Sequence, residues 1–499
     1  MAATRFPGLI WGAAALATLL LAPTLAYPLA RDQGIFLYVA QSLLRGELPY
    51  RDAWELKPPG VHLVYAGLLA GFGLRPVVFC AADVVAAALT AGLLARLIRG
   101  EHGCRAGWLA AAWYAALHLR LGYANVAQPE GFAAPLLVGA MLLATGDRRT
   151  QPATLLAAGL LAGSAAMFKY TTAVAVLPAL LAAALAGKRR PIRLAALAAG
   201  LLLVPLALAG WLMASRAWPA FVEIQRDFLP GHTAHARDAV DPLAVTGIAA
   251  FGEIPLLLAL AAWRAPRSGT PALWLAAAWA GVVAQGKYWG YHAIPAMAPL
   301  AGLAAIGSDR LASGIAARWP KTSAWRPAIL ILPLLTAPLG RAESYAIAAR
   351  LATGDLARDA YEARFGPPGR PHFSALGCRW VADYLRATTA PTDPVLQWGF
   401  DPLPLALAGR RSPTRFFFHQ PLVAPWAPAR WREEFLADLA RDPPVVILVA
   451  HQDAVPAATG RSADSASLVA EFPELAALLH DRYRFDRRIE DFSCYRRVR

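Results

Sequence analysis

The sequence predicts a polytopic α-helical membrane protein of about eleven transmembrane helices, followed by a C-terminal α/β soluble domain. Three observations lead there. The first is composition: 57% of the 499 residues are hydrophobic and 16% are charged, against roughly 25% charged in soluble domains. The second is pattern: apolar runs recur through residues 1–340 and are broken by short basic clusters. The third is a change of character after Arg341, where ordinary charged segments and strand-like runs replace the apolar ones.

The net charge of +15 would suit a nucleic-acid binder. Its distribution does not, because the basic residues gather in short loops between apolar runs, as the positive-inside rule requires. No nucleic-acid partner is therefore expected. MAATRFPG is a short basic start, and TLA before Tyr27 resembles a cleavage site, but the run Ile10–Ala30 exceeds a signal core of roughly 7–15 residues. An uncleaved first helix with a cytoplasmic N-terminus follows.

Spans are expected near 9–30, 75–98, 106–120, 130–146, 152–168, 171–187, 194–214, 242–263, 271–285, 291–307 and 327–340. With this count ARLIRGEHGCR, GDRRT, GKRRPIR, WRAPR and DRLASGIAARWPKTSAWR all fall on the cytoplasmic side. Val61–Gly73 is too short to cross, because a span needs about 20 residues. It reads as an interfacial or re-entrant helix. The membrane part is thus 1–340, with an outer-face loop at 31–73, and the α/β part, 341–499, lies outside the cytoplasm. There PVLQWGF and PVVILVA read as strands, the second as a buried parallel one, and FPELAALLHDRYRF as a helix and then a turn. None of the four cysteines has metal-like spacing. Cys378 and Cys494 are in a compartment where pairing is open to them.

The outer loops hold polar groups that a bilayer tolerates only when they pair or line a water-filled cavity. Loop 1 carries Arg31, Asp32, Arg45, Glu47, Arg51, Asp52, Glu55 and Lys57. The others carry Arg120, Tyr123, Asn125, Gln128 and Glu130, then Lys169 and Tyr170, then Lys287, Tyr288, Tyr291 and His292. A plain solvated edge would account for Arg45, Glu47 and Arg51, and snorkelling would account for Lys169, as readily as a functional role. Asp32, set against the end of an apolar helix, and Lys57, set before Pro58-Pro59, are harder to explain that way.

Several of these segments also resemble a known family. RDQG (Arg31–Gly34), YVAQSLLRGELPYRD, KPPG (Lys57–Gly60), AQPEG (Ala127–Gly131), FKYT (Phe168–Thr171), YHAIPAMAPLA (Tyr291–Ala301) and QWGFDPLPLALAGRRSPTRF (Gln397–Phe416) are similar to the bacterial family 39 glycosyltransferases of the GT-C class. These are related to protein O-mannosyltransferases and lipid A aminoarabinose transferases. The resemblance implies a GT-C-like fold and transfer of a sugar from a polyprenyl-phosphate donor to a glycan, lipid or protein hydroxyl outside the cytoplasm, in a bacterial inner membrane. It implies Asp32 as catalytic base and Arg31, Lys57, Lys169 and Lys287 as ligands of the donor phosphate. Gln33, Glu130, Tyr288, Tyr291 and His292 would contact sugar or acceptor. Many members have Asp-Glu where this chain has Asp32-Gln33, so a mechanism needing two adjacent carboxylates does not carry over. No ligand spacing calls for a metal, although Asp32 and Glu130 are isolated carboxylates able to share a divalent ion. The competing class is a transporter or flippase of lipid-linked sugars. It would favour internal repeats, and none is evident.

Overall fold

The structure, a computed structural model, describes residues 7–239, 253–262, 265–266, 268–319, 325–366 and 373–498. The predicted basic start at 1–6, most of the span predicted at 242–263, part of WRAPR and residues 320–324 lie outside the described residues. The chain forms two compact units. One comprises Met1–Tyr27, Phe79–Leu208 and Asp241–Ala349; the other comprises Pro28–Val78, Ala209–Val240 and Arg350–Arg499. The segment predicted as the first outer loop thus groups with the C-terminal residues.

The first unit is helical. Helix α1 (Pro7–Leu21) continues as a 3₁₀ turn to Ala26. Its other early helices are α4 (Pro76–Leu119), α5 (Pro129–Thr145), α6 (Pro152–Ala166), α7 (Leu177–Leu185) and α8 (Arg190–Ala214). The helices Glu253–Ala262, Gly269–Gln285, Ile294–Arg318 and Trp325–Gly340 follow. These positions agree with the predicted runs. The runs at 75–98 and 106–120 meet inside α4 at Gly103, whose φ of 88° is left-handed. Asp83 and His118 would stand about 52 Å apart on a straight helix, at 1.5 Å per residue. They hydrogen-bond, so α4 is a hairpin of two helices hinged at a residue free to adopt that φ.

Among the described residues, three helices are long and apolar enough to cross a membrane: Gly8–Ala26, Pro76–Leu119 and Arg190–Ala214. Helix α8 exposes Ile192, Leu202, Leu203, Leu206 and Met213, an apolar surface that water would oppose and lipid accepts. Where helices meet, small residues replace large ones. Gly159 and Gly163 of α6 form a GxxxG pair, and a methyl group on either would collide with the α8 backbone at Leu197 and Leu201. Close backbone approach of this kind drives association where lipid removes the hydrophobic incentive.

The second unit contains α2 (Arg31–Leu44), α3 (Gly60–Phe72), α9 (Trp218–Asp227), α10 (Leu229–Ala239) and a four-stranded sheet. Helix α2 was not foreseen within the predicted loop. It forms because Ile35, Phe36, Leu37, Tyr38 and Val39 are all buried, against α3 and the helix Leu403–Ala408. The strands are β1 (Val395–Trp398), β2 (Val446–Ala450), β3 (Tyr483–Ile489) and β4 (Phe492–Arg497), in the order β1-β2-β4-β3. Strand β2 is wholly buried and parallel to β1, as its β-branched run predicts. The predicted turn after Pro473–Arg482 is instead the exposed edge strand β3, paired antiparallel with β4. Charged residues on an edge suppress pairing with other chains and hide the strand signal.

Loops beyond β1 and β2 are tied by buried polar groups. Asp453 accepts hydrogen bonds from the amides of Phe400 and Ser465 and from the Ser465 hydroxyl, at 2.6–2.8 Å. Cys378 and Cys494 are both unbridged. The Cys378 thiol donates to Asp401 Oδ2 at 3.4 Å, and Cys494 lies within β4. Asp401 is 2% exposed, and burial pushes its carboxyl up to about 6, against the pull of the Leu403 amide, the Cys378 thiol and Arg31. The folded chain therefore holds this proton more tightly than the unfolded chain, whose value is near 3.8. The associated stability is full below about pH 4 and is lost as pH rises through 6. Asp401→Asn is expected to melt like the parent at pH 4 and later than it at pH 7.5, by up to about 3 kcal/mol. Melting curves across that range check this, and a gap independent of pH would refute it.

Candidate functional site

Each residue of the RDQG motif has a distinct task at the start of α2. Arg31 stacks over the Phe400 ring at 4.2 Å and lies 5.6 Å from that of Phe373. It also makes an ion pair with Asp32. Asp32 sits in the first turn and is 5% exposed. The helix macrodipole favours negative charge at that end. Gln33 Oε1 accepts from the backbone amide of Ala30 at 2.9 Å, closing one of the amides that a helix start leaves open. Gly34 has no room for a side chain, because a methyl carbon there would lie 2.8 Å from Leu403 Cα. Gly34→Ala is therefore expected to destabilise this unit by about 1–3 kcal/mol. Thermal unfolding of the purified protein would test it, and an unchanged midpoint would mean the contact relaxes freely.

Lys57 is held by its backbone. Its amide donates to Glu55 Oε1 at 3.0 Å, and its carbonyl accepts from the Tyr50 hydroxyl at 2.9 Å. Its ammonium lies 4.7 Å from the Phe36 ring centroid. Among the described residues it makes no ion pair. Tyr50, fully buried, has a φ of +71°, a costly conformation for a bulky residue and one typical of functional sites. Sequence reasoning set Glu55 among the polar groups of the first loop without giving it a role, and did not single out His62. Both are buried, with Glu55 Oε2 4.0 Å from His62 Nε2. Glu55 stands two residues before Lys57, which is the only signal the sequence offers.

The first unit holds a second polar cluster. Glu130, fully buried in the first turn of α5, makes an ion pair with Lys169 at 2.5 Å. Lys169 Nζ lies 5.4 Å from the Tyr291 ring, and Tyr291 meets His292 edge to face at 4.8 Å. Lys169 is thus more than a snorkelling residue. Lys287 and Tyr288 lie half-buried in the loop before them, where Gly290 closes on Asn125. Tyr288 and Ala127 have φ values of +50° and +51°. Three of the seven non-glycine residues with positive φ among the described residues are Tyr50, Ala127 and Tyr288, all in the predicted polar loops.

Asp83 was also missed. It is 1% exposed, and it lies 2.8 Å from His118 Nε2 and accepts from the Ala127 amide at 2.9 Å. It therefore orders the turn that leads to Glu130. Its signal was an acid inside the apolar run PVVFCAADVVAAALTAG, which a membrane helix carries at a cost. Among the described residues no group of three or more His, Cys, Asp or Glu is placed to hold a metal ion.

The helical membrane part and the mixed sheet give the chain a fold similar to that of GT-C-class membrane glycosyltransferases. The family model described as dolichyl-phosphate-mannose-protein mannosyltransferase matches residues 56–213, a segment that includes Lys57, Asp83, Glu130 and Lys169 but not RDQG. The chain is similar to ArnT from Cupriavidus metallidurans bound to undecaprenyl phosphate, with a TM-score of 0.64 at 14% identity over 100% of this chain and 99% of that one. Against the apo state of the same enzyme the TM-score is 0.56 at 13% identity, over 98% of each chain. No curated protein matches by sequence alone.

Proposed function

We propose that this protein transfers a sugar from a polyprenyl-phosphate-linked donor to an acceptor hydroxyl on the extracytoplasmic face of a bacterial inner membrane. Eleven spans, a cytoplasmic N-terminus and an extracytoplasmic domain at 341–499 complete that reading. The acceptor is a glycan, lipid or protein. The observation that carries the proposal is the start of α2, where a buried carboxylate, Asp32, is kept beside a guanidinium at the positive end of a helix. That environment suits a base that must be ionised before it takes a proton. Asp32 removes the acceptor's proton as the hydroxyl attacks the anomeric carbon. The leaving group is a lipid phosphate, and Lys57 meets its charge, with Arg31, Lys169 and Lys287 adding to the positive field. Arg31 and Lys169 are held by Asp32 and Glu130, which leaves Lys57 as the foremost phosphate ligand. Gln33, Glu130, Tyr288, Tyr291 and His292 are assigned to sugar or acceptor. The undecaprenyl phosphate bound by the structurally similar ArnT supports the choice of donor.

A transfer assay tests this. The purified protein in vesicles, given a polyprenyl-phosphate donor labelled in the sugar, is expected to place label covalently on an acceptor fraction. Intact labelled lipid crossing the bilayer with no transfer would establish the flippase reading instead.

A further inference from the structure

Glu55 is a buried carboxylate to which the reaction above gives no task. Its Oε1 accepts from the amides of Leu56 and Lys57, at 2.7 and 3.0 Å. Its Oε2 has no hydrogen-bond partner among the described residues, and His62 Nε2, 4.0 Å away, is beyond bonding reach. A buried carboxylate with one open oxygen persists only with a cation to offset it. Three charged or titratable groups surround it. Lys57 attracts it, and Asp32 of α2, itself paired with Arg31, repels it. His62 of α3 faces the open oxygen. From α9, Gln225 brings no charge; it donates to the Leu56 carbonyl at 3.1 Å. Burial outweighs the attraction, so the Glu55 carboxyl is held above its ordinary range.

We propose that Glu55 is the positioning residue for the Lys57 ammonium, and that it takes up a proton when a lipid phosphodiester occupies that ammonium. This deepens the reading of Lys57 as donor-phosphate ligand and rests on it. The positioning follows from the turn ELKPPG. Glu55 holds the amide of Lys57, Tyr50 holds its carbonyl, and Pro58-Pro59 fix the following backbone. The ammonium therefore swings from a fixed origin. The proton follows from charge. Without ligand, the Lys57 charge offsets Glu55. With a phosphodiester present, two anions compete for one cation in a site poor in water, and the carboxylate is relieved by protonation at Oε2, the oxygen that no hydrogen bond holds. Binding then consumes a proton, so affinity falls as pH rises.

The test uses the full-length protein in lipid nanodiscs and polyprenyl methyl phosphate, whose single charge does not change between pH 5 and 8.5. The dissociation constant of the parent is expected to rise with pH, by no more than about tenfold per unit for one proton. Glu55→Gln keeps an oxygen for both amides and removes the charge. It is expected to bind with no pH slope, and more tightly than the parent at pH 8.5. His62→Gln is expected to retain the slope, and Glu55→Ala, which loses the amide contacts as well as the charge, to bind with no pH slope and about tenfold more weakly than Glu55→Gln. A parent slope that survives in Glu55→Gln, or moves with His62, overturns the proposal. Should Lys57→Ala bind the probe like the parent, the reading of Lys57 itself fails. Should Lys57→Ala lose binding while Glu55→Gln keeps the parent slope, only the role of Glu55 falls.

Discussion

Asp32→Asn is expected to leave a folded protein whose sugar transfer has fallen by about 10²–10⁴-fold, the usual worth of a positioned general base. Asn matches Asp in size, and the Arg31 guanidinium keeps its place over Phe400, so the start of α2 should persist. What disappears is the negative charge that accepts a proton. The loss should fall on kcat, with the KM for donor little changed, because an interaction realised in the transition state is the one removed. Turnover measured with a labelled donor, alongside a melting curve to show the fold intact, decides the matter. Full turnover in that variant would remove Asp32 from the chemistry.

Lys57→Ala is the second large effect, and it should show in the donor. Hydrogen bonds to charged groups are worth about 1.5–3 kcal/mol, so KM for the lipid-linked sugar is expected to rise about ten- to a hundredfold. Lys57→Arg should restore only part of this, because the planar fork of arginine does not reproduce a compact ammonium leaving a pinned backbone. The backbone contacts to Glu55 and Tyr50 involve no side-chain atom of Lys57, so the turn should persist, with Glu55 taking up a proton once the offsetting charge is gone. Donor KM and kcat both unchanged in Lys57→Ala would take it out of the phosphate site.

The contrast between Gln33 and Asp83 shows where reading the sequence succeeds and where it stops. Gln33 is a departure from the Asp-Glu pair that many members of the resembled family carry. In the fold its side chain satisfies the amide of Ala30, a local task that glutamine performs as well as glutamate at that helical position. Asp83 lay in plain view inside an apolar run, yet its partners, His118 and the Ala127 amide, are 35 and 44 residues away. No local pattern pairs them. The hinge at Gly103 does, by folding α4 back on itself.

Apolar runs and the placement of arginine and lysine were sufficient to locate the apolar helices of the first unit and to mark the polar loops, because bilayer solvation acts on each segment separately. Strand β2 was legible for a similar reason: its burial on both faces is written into consecutive β-branched residues. Tertiary structure alone decided which loop residues meet. It joined 28–78 to the C-terminal unit through α2, paired Lys169 with Glu130, set Gly34 against Leu403, and left one oxygen of Glu55 open beside His62. Those outcomes depend on distances between residues remote in the chain, and a charge in a loop carries no record of its partner until the backbone has brought the two together.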